Sequence, residues 1–157
     1  MTISAADIRF IDANPSAAMI TLAADGTAKA ARVVVVVVDG KLWSTGTVDR
    51  ARTRRLRRDP RSTLFVFAQG HSYRSLETTV TIIDGPDGID ANVSLFRTLR
   101  RRPVGPIEFF GTEYEEPEFR DVLARDGRIV YEFEVLRSTG VDEVLREAPT
   151  LEARTSS

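Results

Sequence analysis

Cysteine is absent from the 157 residues, and histidine occurs once, at His71. The first absence excludes disulfides, a thiol nucleophile, iron–sulfur clusters and zinc sites built on thiolates. The second removes a His-rich metal centre and leaves no material for a Ser-His-Asp triad, so no metal is expected. Long apolar runs are also missing. No stretch approaches the roughly 20 residues that cross a bilayer, and the opening MTISAADIRF has no basic segment followed by an apolar one. The expectation is a cytoplasmic protein without a membrane partner. Lysine is scarce too: of 22 basic residues only Lys29 and Lys41 are lysine, and the rest are arginine.

The remaining composition is that of an ordinary globular chain, 42% apolar and 29% charged. A chain of about 150 residues buries roughly 70% of its unfolded surface, enough for a core without staples. One domain over residues 1–147 is expected, with a polar tail at 148–157. The net charge of −1 hides a division. Residues 1–103 carry 16 basic against 10 acidic side chains, and residues 104–157 carry 6 against 13. A basic half beside an acidic half points to an anion site on the basic side.

Residues 4–13 read as a short helix ended by Asn14-Pro15, and 17–23 as a buried strand. Asp25-Gly26 and Asp39-Gly40 are hairpin signals that bracket a long strand, Lys29 to Val38. Six consecutive valines, Val33 to Val38, exclude a helix there, because β-branched side chains lose rotamer freedom in one. A strand without polar alternation is expected to be covered on both faces. Lys41–Thr45 completes a three-stranded meander. A helix over 49–58 follows, with Asp49 as its cap and Asp59-Pro60 as its stop. Further strands are expected at 62–68, 74–83 and 128–135, and helices at 89–101 and 115–126. A Gly/Pro-containing connection spans 103–111. Six antiparallel strands with a few short helices make a mainly β fold, a small barrel with α additions, whose closure removes exposed edges.

The chemistry concentrates in Ser44-Thr45-Gly46-Thr47, set directly before seven arginines within residues 50–61. Hydroxyls, a permissive glycine and the free N–H groups of a helix start form a natural phosphate cradle. Arginines add planar bidentate donors that suit phosphate oxygens. Helical spacing puts Arg50 and Arg54 near one face and Arg52 and Arg55 on a neighbouring one. Competing readings are a solvated face, above all for Arg54, Arg57 and Arg58, a salt-bridge belt with the acidic segment Glu113–Glu118, and a nucleic-acid footprint. The acidic net charge and the lack of a helix-turn-helix or zinc-finger pattern argue against nucleic acid.

The order of strand, hairpin, strand, Thr45-Gly46-Thr47, then Arg50 to Arg61 ending in Leu-Arg-Arg-Asp-Pro-Arg, resembles the pyridoxamine-phosphate-oxidase-like split β-barrel flavoproteins. More narrowly it is similar to the F420-dependent flavin/deazaflavin oxidoreductase branch of actinobacteria. Asn14-Pro15, Asp25-Gly26-Thr27, Leu64-Phe65-Val66-Phe67, Asp84-Gly85-Pro86-Asp87 and Tyr131-Glu132-Phe133-Glu134-Val135 also fit, so the resemblance covers residues 8–137. It implies a six-stranded antiparallel split β-barrel, FMN-binding-protein-like, forming a homodimer with cofactor sites at the interface. The cofactor would be coenzyme F420, with FMN as the alternative. The reaction would be hydride transfer between the deazaflavin C5 and a small, electron-poor conjugated substrate, with the hard step carried by the cofactor.

By the same resemblance Arg32 would lie near the cofactor phosphate, and Thr45, Gly46 and Thr47 would line it. Arg50 and Arg52 would hold it, with Arg55 beside them, and His71 and Tyr73 would stand near the cofactor. No catalytic residue is assigned. Trp43 reads as core or interface packing. Residues 138–157 lack the basic, aromatic block of an authentic pyridoxamine-phosphate oxidase. A non-enzymatic carrier of flavin, deazaflavin or haem on the same barrel is the reading from another class.

Overall fold

The valine run is where the sheet closes. In the computed structural model, which describes residues 3–143, β1 (Ser16–Leu22) pairs with β2 (Ala28–Val34), and β3 (Val36–Val38) pairs with β4 (Lys41–Thr47). Only Val35 separates β2 from β3, yet they stand at opposite ends of the strand order β2-β1-β5-β6-β9-β4-β3. A sheet whose two end strands are joined through one residue must curl on itself, so the seven strands form a barrel. Its other strands are β5 (Arg61–Phe67), β6 (Tyr73–Ile83) and β9 (Arg128–Val141), all pairings antiparallel. The expected long strand is therefore two. The mainly β, split-barrel expectation holds, and the expected tail 148–157 lies outside the described residues.

Side chains alternate across this strand, as a pleated backbone requires. Val33, Val35 and Val37 point into the barrel with Met19, Leu64, Leu76, Tyr131 and Phe133. Val36 and Val38 point outward, into a second core beneath α3 (Gly85–Arg100) and α4 (Glu116–Arg125). Val34 departs from the expectation of cover on both faces: it is 42% exposed, because the helical layer starts two residues later, at Val36. In the second core Phe96, Phe109 and Phe119 meet edge to face, with centroids 5.1 to 5.6 Å apart. Trp43 packs on this core, and its indole N–H donates to Glu132 at 2.8 Å. Among the described residues no helix is long and apolar enough to cross a membrane.

Three boundaries differ from expectation. α3 starts at Gly85, four residues early, because Pro86 sits in its first turn, where a missing N–H costs nothing. β9 runs on to Val141, past a bulge at Glu77/Thr78, and pairs with the start of β6. The segment expected to be a plain connection holds a hairpin, β7 (Ile107–Phe109) and β8 (Thr112–Tyr114).

The two ends of the barrel are stoppered by short helices. α1 (Ala5–Ala13) is capped by Ser4, whose hydroxyl accepts from the Asp7 N–H at 3.1 Å, and it buries Ile11. Arg74 points into the same mouth. It donates through Nε to Asp7 at 2.8 Å and through Nη2 to Asp142 at 2.8 Å, and its guanidinium lies 4.4 Å from the Phe10 ring centre. α2 (Ala51–Arg58) closes the opposite end with Thr53 and Leu56.

Candidate functional site

The corner where β4 passes into α2 is tied into the core by a relay of hydroxyls. The Thr53 hydroxyl donates to the Thr47 carbonyl at 2.7 Å, and its one proton is thereby spent. The Tyr131 hydroxyl, 2.5 Å away and fully buried, must then donate to Thr53 Oγ1. Gly46 is needed for this contact, because a Cβ there would lie 2.6 Å from two carbons of the Tyr131 ring. Gly46, expected beside the phosphate, therefore has a packing duty as well.

Asp49 is not the helix cap. Arg50 holds the cap position with extended dihedrals, and no side chain caps the first turn of α2. Asp49 instead accepts the Thr47 hydroxyl at 2.6 Å, and this hydrogen bond is the main cause that holds its carboxyl below the usual range. The helix N–H groups that an aspartate would have taken are left without a side-chain partner, and a helix start carries a partial positive charge.

Most of the arginines are engaged. Arg54 donates to the Asp49 carbonyl at 2.6 Å, Arg55 Nε to Thr21 at 2.9 Å and Arg58 to the Leu22 carbonyl at 2.8 Å. Arg57 pairs with Asp84 at 3.1 Å. Arg61 pairs with Asp59 at 2.7 Å, and its hydrogen bonds hold the Asp59 carboxyl down at about 2. The belt with the acidic segment does not form: Glu113 and Glu116 pair with Arg102, Arg97 and Arg120. Of these seven arginines two stand apart. Arg50 is exposed, and its side chain has no hydrogen-bond or salt-bridge partner. Arg52 is half-buried against the Tyr131 ring, its guanidinium carbon 5.8 Å from the centroid. The Arg52 Nε is buried and lacks any hydrogen-bond partner. A buried N–H left unpaired on a cation costs about 1–3 kcal/mol or more, so it asks for an acceptor.

Thr47, Arg50, Arg52 and Arg55 thus share one end of the barrel. Thr45 lies on the adjoining strand, but its hydroxyl turns toward α3 and donates to the fully buried Asn92 at 2.6 Å, which in turn donates to the Gly88 carbonyl. The other expected residues are elsewhere. Arg32 lies on the outer face of β2 and donates to Ser16 at 3.1 Å. Tyr73 stacks on Phe65 at 5.3 Å, and exposed His71 sits in the β5–β6 turn, its backbone N–H on Glu143. These three belong to the end near α1, about 20 Å away along the seven residues of β5. Within one chain they do not join the corner.

Arg128 was missed. It stands opposite Thr47 in the β4–β9 ladder, with its side chain 10% exposed. Only the strand pairing brings it there, since 80 residues of chain intervene.

No family model matches the chain, and neither does any curated protein. Solved structures do. A conserved hypothetical protein of Mycobacterium tuberculosis is similar at 18% identity with a TM-score of 0.68, covering 94% of each chain. An F420 reductase is similar at 17% identity and TM-score 0.60, over 83% of this chain and 94% of that one. A Listeria innocua protein assigned as a pyridoxamine 5'-phosphate oxidase is similar at 8% identity and TM-score 0.62, over 88% and 97%. At such identities the likeness bears on architecture: the chain has the pyridoxamine-phosphate-oxidase-like split-barrel fold.

Proposed function

We propose that this chain is an oxidoreductase that binds the phosphate group of a flavin-type cofactor at the β4–α2 corner, with the deazaflavin coenzyme F420 as the cofactor. The observation that carries the reading is the buried, partnerless Nε of Arg52 beside a helix start that no side chain caps. Arg50 adds a second uncommitted cation, and the N–H groups of the first turn add dipoles of the same sign. Asp49 stays ionised, and its repulsion of an anion is opposed by the two cations Arg50 and Arg52. These donors fit a phosphate.

In this reading Arg52 and Arg50 bind and orient, and the relay from Tyr131 through Thr53 to the Thr47 carbonyl holds the corner rigid. The cofactor, when bound, supplies hydride transfer to a small conjugated substrate. The chain's own part is placement of the ligand and exclusion of water. FMN offers a phosphate monoester to the same donors and is the alternative occupant.

A homodimer belongs to the proposal. Val34, Phe67, Leu136 and Val141, between 42% and 55% exposed, all lie on the outer face of the sheet. Arg32, Phe65 and Tyr73 share that face. A second copy covering it would bury this apolar surface.

The test is a fluorescence titration of the purified protein with oxidised F420, with FMN beside it at the same salt. Saturable F420 binding is expected, and Arg52→Ala or Arg50→Ala should weaken it by about 1.5–3 kcal/mol, the worth of a charged hydrogen bond. Unchanged affinity in both variants would overturn the phosphate assignment. Tighter binding of FMN than of F420 would move the protein to the flavin.

A further inference from the structure

Two hairpins in this chain use the same tight turn. At Asp39-Gly40 the central residues have φ of 49° and 77°, between the paired Val38 and Lys41. At Phe110-Gly111 they have φ of 47° and 85°, between the paired Phe109 and Thr112. Both central positions require the left-handed region, which Asp and Gly enter readily and a bulky aromatic does not. The first hairpin obeys this chemistry. The second puts phenylalanine in the strained place and leaves it 73% exposed, so the position is bad for the backbone and bad for the solvent.

What lies beneath the ring gives the reason. The Arg128 guanidinium is 5.3 Å from the Phe110 centroid and 5.1 Å from that of Phe109, and the two rings meet edge to face at 4.6 Å. Arg128 is thus packed between rings and is further fixed by Asp126 at 3.3 Å. Phe110 is held from behind and presents its surface outward. Its surroundings are continuous with the β4–α2 corner. Arg128 is the ladder partner of Thr47, and the next residue, Val48, donates its N–H to the Gly127 carbonyl and is itself 48% exposed. A rigid aromatic and a valine therefore border the same end of the barrel as Arg50 and Arg52.

We infer that Phe110, seated on Arg128 at the tip of the β7–β8 hairpin, is the stacking platform for a planar, electron-poor conjugated ring bound at this corner. The negative face of a phenyl ring favours an electron-poor partner, which is the character of a hydride acceptor. This rests on the proposed anion site only for where the rest of the ligand sits. The ring belongs either to the cofactor or to the substrate.

Phe110→Gly is the informative variant, because glycine keeps the turn and removes the platform. Titrations use FMN, riboflavin, which has the ring without the phosphate, and menadione, a quinone, added to FMN-loaded protein. Loss of about three- to tenfold for FMN and riboflavin alike, the worth of an aromatic pair, assigns the cofactor ring to Phe110. The same loss for menadione alone assigns the substrate ring. The Tm of the variant should equal or exceed that of the parent, since strain is relieved, and Phe110→Trp should bind as the parent does. Unchanged affinity for all three ligands overturns the inference, as does a lowered Tm with affinities restored on cooling, which marks a packing role. Arg52→Ala separates the two readings: it should weaken FMN but not riboflavin. A loss in Phe110→Gly without one in Arg52→Ala keeps the platform and overturns the phosphate assignment. A parent protein that binds none of the three overturns the platform, and one that binds no F420 either overturns the phosphate assignment as well.

Discussion

Replacing Asp7 by Asn tests how the barrel mouth near α1 is held. The Asp7 and Arg74 side chains are 12% and 8% exposed, and they meet at 2.8 Å. Removing one partner of a buried pair costs about 3–5 kcal/mol when the remaining charge is stranded. Here Arg74 keeps Asp142, but that carboxylate is 68% exposed and such pairs contribute under about 1 kcal/mol. Asparagine also keeps an acceptor oxygen in place. The expected loss at neutral pH is therefore about 2–3 kcal/mol, equivalent to a fall in Tm of roughly 5–10 °C for a domain of this size.

The pH dependence follows from the Asp7 carboxyl. Burial pushes its pKa up, but hydrogen bonds from Ser138, Arg74 and Ser4 outweigh burial and hold it below the ordinary 3.8. A depressed folded-state value means that the charge contributes its full stabilisation above 3.8 and loses it as pH falls through the folded value. Urea unfolding followed by Trp43 fluorescence and far-UV circular dichroism reads both effects. The parent and Asp7→Asn should differ at neutral pH and converge in acid. A difference below about 0.5 kcal/mol at neutral pH, the level of a surface substitution, would refute the argument, and so would one that persists in strong acid.

Gly46→Ala should destabilise the fold by about 1–3 kcal/mol, the cost of overpacking, because the methyl must displace a fully buried Tyr131 and break its bond to Thr53. Urea melts of that variant check it; a melt like the parent's would show that the Tyr131 contact is soft. Phe67→Asp, on the outer face of β5, should convert a dimer to a monomer in sedimentation velocity without lowering the Tm of the isolated chain. A parent that already sediments as a monomer would rule out the homodimer.

Local chemistry is what could be read along the chain. The six valines excluded a helix, Asp39-Gly40 and Asp25-Gly26 set their hairpins, and Asp59-Pro60 stopped α2 where expected, since each depends on neighbours within a few residues. The β7–β8 hairpin escaped because Phe110 occupies a place where Asn or Asp would have signalled the turn. The early start of α3 escaped because proline both ends strands and begins helices. Neighbours distant in sequence lie beyond such signals. That Val35 divides one apolar run between opposite edges of a sheet is a property of closure, and that Arg128 faces Thr47 is a property of register. The arginines show the division most plainly. Seven cations in twelve residues were legible as a charge, and the Asp59–Arg61 pair is local. Which of the others were engaged by Thr21, Leu22 and Asp84, and which were left without a partner, was decided only when distant segments brought those acceptors within about 3 Å.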